Sequence, residues 1–203
     1  YRTRISGRID VFSSTDEQLI QKALKGNKNA WLSLLSRYEK ALYNYAVRMT
    51  GNPDDGKDLM QEIFVSVFNS LNSYTGAGSF KSWLFRIAHF KCMDFYRRSR
   101  PNVSLDDLNF EQTQHINLAD KPCEHTPESH ARMHQSQQQI HKMMQALPFN
   151  QRIIVELKFF NQFTFDEIAE QLGISANTAK SRLYSALSVL KGNLSKIQEN
   201  DYA

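Results

Sequence analysis

Before residue 100 and again from Glu128 onward, apolar residues recur every three or four positions, and no strand pattern competes with that helical spacing. That periodicity restricts the fold to helices packed on helices. From Asp16 to Met49 the repeat runs through Leu19, Ile20, Ala23, Leu24, Ala30, Leu34, Leu35, Leu42, Tyr45 and Ala46, and Gly26-Asn27 divides it into two helices. Gly51 ends the segment. Asn52 is placed as the cap and Pro53 as the first position of a further helix that runs to about Leu71.

The two glycines of Tyr74 to Ser79 predict a loop, and Ser79 is placed to cap a long helix from Phe80 to about Arg98, closed by Pro101. Residues 102–127 lack periodicity, are acidic and contain Pro122 and Pro127, so they are expected to be a linker. Helix resumes from Glu128 to Leu147, turns at Leu147-Pro148, and continues as Asn150–Phe160, Phe165–Leu172 and Ala176 to about Leu194. The expected fold is all-α. Two small helical domains, 16–100 and 128–196, are joined by an irregular acidic linker over 101–127, with an extension over 1–15 and a tail over 197–203.

A length of 203 residues accommodates two such cores. No apolar run approaches the ~18 residues of a membrane span, and Tyr1-Arg2-Thr3-Arg4 opens no secretory signal. With Cys92 and Cys123 as its two cysteines, the chain is expected to be cytoplasmic with free thiols. A net charge of +4 points toward a polyanionic partner, and its distribution says more. From Phe80 to Arg100 six Lys or Arg face Asp94, whereas Ser104 to Glu128 carries six acids against Lys121.

Phe165 to Leu183 has the form of a helix-turn-helix. Ile168, Ala169 and Leu172 provide a packing face, Gly173 permits the positive φ of the turn, and Ile174 and Leu183 plug the angle. Thr164 with Glu167 predicts a capping box, and Ser175 a cap on the second helix. That helix then exposes Asn177, Thr178, Lys180, Ser181, Arg182 and Tyr184 near its amino-terminal end, where major-groove readers place their contacts.

Along Phe80–Arg98, Leu84, Ile87, Ala88 and Phe95 share one face at 100° per residue and are expected in the core. On the opposite side Arg86, Phe90, Met93 and Arg97 mix aromatic and cationic groups. Aromatic planes stack unpaired bases and arginines neutralise the phosphates between them, so this stripe suits single-stranded DNA. The loop Ser73–Ser79 is small enough to wrap an extruded base.

Cys123, His125, His130 and His134 make a cluster of zinc-type ligands, with the two last members four residues apart. His89 and Cys92 lie one turn apart, but no third group, phosphate loop or carboxylate pair completes an enzyme site. No catalytic residue and no cofactor is expected.

With these residues in view, Asp16 to about Leu194 resembles the extracytoplasmic-function sigma factors. Asp16-Glu-Gln-Leu-Ile and Gly26-Asn-Lys-Asn-Ala-Trp resemble the family's opening helices, and Asp58-Leu-Met-Gln-Glu-Ile-Phe64 its polymerase-binding signature. Phe80-Lys-Ser-Trp-Leu-Phe-Arg-Ile-Ala88 resembles its promoter-melting helix. Ala146-Leu-Pro, Ile168-Ala-Glu and Thr178-Ala-Lys-Ser-Arg-Leu183 resemble its region 4.

The resemblance implies an alternative sigma factor, probing promoters for core RNA polymerase in a stress-response regulon and catalysing no reaction. Region 2 would dock on the clamp helices of the largest polymerase subunit through Asp58, Gln61, Glu62 and Ser66. It would hold the melted −10 strand with Tyr74, Lys81, Trp83, Arg86, Phe90, Met93, Arg97 and Arg98. Region 4 would sit on the β flap and contact the −35 duplex with Arg152, Asn177, Thr178, Lys180, Ser181, Arg182 and Tyr184. The acidic linker would thread a basic polymerase channel. An anti-sigma factor, often membrane-anchored, would hold the free protein inactive.

Four positions depart from the family pattern. Phe90 replaces a frequent Asn and favours stacking. Ser185 and Leu187 replace residues that are often basic, and Gly56, where Ala is common, costs about 1 kcal/mol of helix stability. Two other readings stand beside this one: a conventional helix-turn-helix regulator binding duplex DNA without polymerase, and a metal-responsive interaction protein using the Cys/His cluster.

Overall fold

The computed structural model describes residues 14–99 and 139–201, with side chains as far as residue 194. The described residues are helices joined by short turns and loops, with no strand among them. In chain order they form α1 (Asp16–Leu24), α2 (Lys28–Thr50), α3 (Pro53–Ser70), a 3₁₀ turn (Leu71–Ser73) and α4 (Phe80–Ser99). Beyond the linker come α5 (139–145), α6 (Phe149–Val155), a π turn (Glu156–Phe160), α7 (Phe165–Leu172) and α8 (Ala176–Asp201). The linker at 101–127 and the start of the helix expected from Glu128 lie outside the described residues, as do Cys123, His125, His130 and His134.

Short polar residues begin these helices as their chemistry requires. Thr15 forms a capping box with Gln18, Asn27 accepts from the Ala30 amide, and Asn52 accepts from the amide of Asp54 at 2.7 Å with Pro53 in the first turn. Gly51 ends α2 in the left-handed region, φ 86°. α8 runs to Asp201, beyond the expected end near Leu194, because no proline follows and Gly192 alone is too weak a breaker.

Leu34, Leu42 and Tyr45 of α2 pack on Leu59, Ile63 and Val67 of α3 and on Leu84, Phe85 and Ala88 of α4. In the second half Leu147, Ile153, Leu157, Ile168, Ala179 and Ala186 are buried. The two helical units do not stand apart. Their buried residues form one contiguous cluster, with Phe85 against Phe163 (ring centroids 5.9 Å) and Tyr96 against Phe149 (4.7 Å).

The expected continuous helix over Asn150–Phe160 differs in its last turn. There the Asn161 amide reaches back five residues to the Glu156 carbonyl at 3.1 Å, and the Asn161 side-chain amide donates to the same residue. That wide turn opens the backbone and aims the Glu156 carboxylate at α2.

Candidate polymerase and nucleic-acid interfaces

α4 is anchored on one side and exposed on the other. Ser79 Oγ accepts from the Ser82 amide, and Phe80, Leu84, Phe85, Ala88, His89 and Cys92 are buried. Ile87 and Phe95, expected in the core, are half-buried at its edge. On the far side Arg86, Phe90 and Arg97 are exposed and Met93 is half-buried, so the mixed aromatic and cationic stripe faces outward. Phe90 is 52% exposed, a large apolar area for a helix whose other face already supplies the core.

The remaining members of this set have different surroundings. Trp83 is half-buried, its ring 5.4 Å from Tyr74 and 5.6 Å from Phe80, and the Tyr74 hydroxyl donates to the Gly78 carbonyl at 2.9 Å. Together these hold the loop before α4. Arg98 pairs with Glu62 at 2.9 Å and Arg97 with Asp94 at 3.5 Å. Lys81 lies along Phe163 and donates to the Asn161 carbonyl at 2.6 Å.

On α3, Asp58, Gln61, Glu62 and Ser66 line one open groove with Val65 and with Lys91 of α4. Leu59, Ile63 and Val67 on the same helix are buried, so the polar residues are presented by a rigid element. The groove carries both signs of charge.

The helix-turn-helix is closed by local hydrogen bonds. The Glu167 amide donates to Thr164 Oγ1 and the Thr164 amide to Glu167 Oε2, Gly173 turns the chain at φ 66°, and the Thr178 amide donates to Ser175 Oγ at 2.9 Å. With Ala179, Leu183 and Ala186 buried beneath them, Asn177, Lys180, Ser181 and Tyr184 are exposed along the first turns of α8. Thr178 and Arg182 are half-buried, and burial lowers the Arg182 pKa.

Arg152 requires a correction. Expected on the −35 duplex, it is buried at 5% exposure and its guanidinium donates to the carbonyls of Met49, Gln145 and Leu147. A buried arginine whose terminal nitrogens are held by three carbonyls presents no open face to a phosphate. A second buried charge, not anticipated from the sequence, stands at the seam where the two halves meet. Glu156, wholly buried, takes Arg48 in a two-pronged ion pair at 2.6 and 2.7 Å, with the guanidinium 3.9 Å above the Phe160 ring. A sequence signal for it existed: a lone carboxylate within Ile153-Ile154-Val155-Glu156-Leu157 demands a buried cation.

His89 stacks on Phe149, and burial lowers its pKa to about 4. Burial likewise raises the Cys92 thiol to about 12, far from reactive. Among the described residues no group of three or more metal-ligating side chains gathers, and no helix is long and apolar enough to cross a membrane.

Models of two regions of one protein family match the two halves: Sigma-70 region 2 over residues 34–101 and Sigma-70, region 4 over residues 137–190. The chain belongs to the sigma-70 family. It is similar to the RNA polymerase sigma-H factor of Pseudomonas aeruginosa, 27% identical with 84% of this chain and 89% of that protein covered. To the RNA polymerase sigma factor SigV of Bacillus subtilis it is 26% identical, over 86% and 97%. To the ECF RNA polymerase sigma-E factor of Escherichia coli it is 24% identical, over 85% and 90%.

Among solved structures, CnrH in complex with the cytosolic domain of CnrY shares the fold at a TM-score of 0.64 and 24% identity, covering 90% of this chain and 99% of that one. The sigma factor RpoE of Bartonella quintana, in complex with the anti-sigma factor NepR, does so at 0.60 and 22%, over 79% and 94%. This sigma-70 protein is of the extracytoplasmic-function type, an alternative sigma factor of transcription initiation whose partners are core RNA polymerase and promoter DNA. The family is one of non-catalytic initiation factors. Region 2 of the sigma factor comprises the α3 groove and the α4 stripe, and region 4 carries the helix-turn-helix.

Proposed function

We propose that the exposed stripe of α4, Arg86, Phe90, Met93 and Arg97, captures the melted non-template strand of the −10 element, with Tyr74 and Trp83 lining the adjacent loop. The observation that carries this is Phe90, an aromatic ring held at 52% exposure with Arg86 one turn before it and Arg97 two turns after it. Lys81 and Arg98 join once their intramolecular partners release them. Asn177, Thr178, Lys180, Ser181, Arg182 and Tyr184 contact the −35 duplex, the first turns of α8 entering the major groove.

Asp58, Gln61, Glu62 and Ser66 dock on the clamp helices of the largest subunit, and region 4 rests on the β flap. The protein acts in the cytoplasm, catalyses no reaction itself and serves a stress-response regulon. An anti-sigma factor controls it; the similarity to RpoE, which was solved with the anti-sigma factor NepR, supports that partner.

The test is run-off transcription with core RNA polymerase lacking any sigma factor, on a pool of promoter fragments from the source genome. Selective initiation is expected, and Asp58→Lys with Gln61→Ala is expected to abolish core binding without altering the thermal midpoint. Binding to duplex DNA with neither initiation nor a stable core complex would overturn the reading in favour of a conventional helix-turn-helix regulator.

A further inference from the structure

The loop before α4 is tied down by aromatic rings. Phe80, the first residue of α4, is buried, and around it stand Tyr74 at 5.6 Å, Trp83 at 5.6 Å and Tyr38 of α2 at 5.5 Å between ring centroids. The Tyr38 and Tyr74 rings meet it edge-on, the arrangement in which ring quadrupoles attract. Tyr74 and Trp83 also touch each other, and the Tyr74 hydroxyl closes the loop on the Gly78 carbonyl. Gly76 and Gly78 both turn at positive φ, 78° and 95°, and glycine loses more conformational freedom on ordering than any other residue. A loop built on them takes its order from what its ends are tied to.

That tie reaches back to α1. Tyr38 is half-buried, and its hydroxyl donates to Asp16 Oδ2. Asp16 Oδ1 takes the Arg37 guanidinium at 2.6 Å, and the same guanidinium donates to the Ser14 carbonyl. The carboxylate is thus oriented by a cation on one oxygen and offers the other to the phenol, a charge-assisted bond of the stronger kind. Burial, then the bond to Asp16, raises the Tyr38 pKa above the ordinary phenol value. Burial raises the Tyr74 phenol too, followed by the charges of Glu17 and Asp16, so α1 stands beside both ends of this aromatic chain. With its hydroxyl fixed on one carboxylate, the Tyr38 ring has one placement, and that placement is a wall of the Phe80 site.

We propose that Asp16 and Tyr38 are positioning residues for base capture: acting through Phe80, they hold the loop Tyr74–Ser79 in the shape that receives a base extruded from the −10 strand. This rests on the assignment of that loop and the α4 stripe to the −10 strand made above. Neither residue contacts the strand itself. The consequence is a part in promoter reading for α1, which precedes the residues that match Sigma-70 region 2.

The test uses the complex with core RNA polymerase and a single-stranded −10 oligonucleotide from a promoter that run-off transcription selects. Oligonucleotides abasic at each −10 position in turn locate the extruded base as the one whose loss costs the native protein most affinity. Tyr38→Phe keeps the packed ring and removes the donor alone; Asp16→Ala removes the acceptor. Each is expected to weaken binding of the intact strand about three- to tenfold and to leave the strand abasic at the extruded position at its native affinity. The double variant is expected to lose no more than the larger single loss.

A general disturbance of region 2 would weaken both strands alike, and that result overturns the positioning role. So does a native preference for the intact strand that survives undiminished in both variants. Absence of any selected promoter, or equal binding of intact and abasic strands by the native protein at every position, fails the capture reading of the loop and the proposal with it.

Discussion

His89 sits in the seam as an imidazole kept from water against Phe149, its pKa lowered by burial from 6.5 to about 4. A histidine depressed in the folded state contributes stability that is complete above the unfolded pKa of 6.5 and is lost as pH falls from there toward 4. Between pH 7 and pH 5 this group alone is expected to remove about 2 kcal/mol. Urea unfolding at both pH values should show that loss in the native chain and a smaller one in His89→Leu. Gly56 makes a different point. A Cβ there would stand 2.6 Å from the Val47 side chain and 3.0 Å from its backbone, so the residue permits close approach of α2 and α3. Gly56→Ala gains about 1 kcal/mol of helix propensity but overpacks this contact by about 1–3 kcal/mol. A lower unfolding midpoint is expected, although α3 taken alone would gain helicity.

Within an element, the division of labour on α4 is a matter of faces. Its buried face carries Phe80, Leu84, Phe85 and Ala88, so the outward ring of Phe90, 5.9 Å from the His89 ring, lies outside the core. Phe90→Ala is expected to cost about 1–3 kcal/mol of binding to a single-stranded −10 oligonucleotide by the polymerase complex, with the unfolding midpoint unchanged. Lys180→Ala, on exposed α8, should weaken duplex −35 binding, leave the oligonucleotide affinity intact and reduce the salt slope by about one. Fluorescence anisotropy on the two DNAs separates the faces, and equal losses on both would show that they are misallocated. Amphipathic periodicity made α4, α7 and the first turns of α8 legible from local spacing. It failed for the end of α6, where the Glu156–Asn161 bonds widen the turn, and spacing along one helix carries no information about those partners.

For the molecule as a whole, the Arg48–Glu156 pair spans 108 residues and is a buried, two-pronged charge contact across the seam. Burial raises the Glu156 pKa, and the Arg48 and Asn161 contacts offset part of that rise. Removing one member of a buried pair leaves a desolvated charge, so Arg48→Met alone is expected to cost about 3–5 kcal/mol of unfolding free energy. Arg48→Met with Glu156→Leu should recover most of it, because no buried charge then remains. Urea titrations of the single and double variants give the coupling directly, and additive losses would show that the pair does not act as a unit.

The sequence by itself determined the helices, their caps and breakers, and the helix-turn-helix, because capping, turn chemistry and hydrophobic periodicity act over a few residues. It also made the outward stripe of α4 visible, since a helix with its core face filled leaves its other residues to solvent. Only the tertiary structure decided that the halves share one core, that Lys81 is held by Asn161, and that Arg152 serves carbonyls rather than phosphate. A buried charge is defined by partners that chain connectivity places a hundred residues away, and no local pattern specifies which of them it meets.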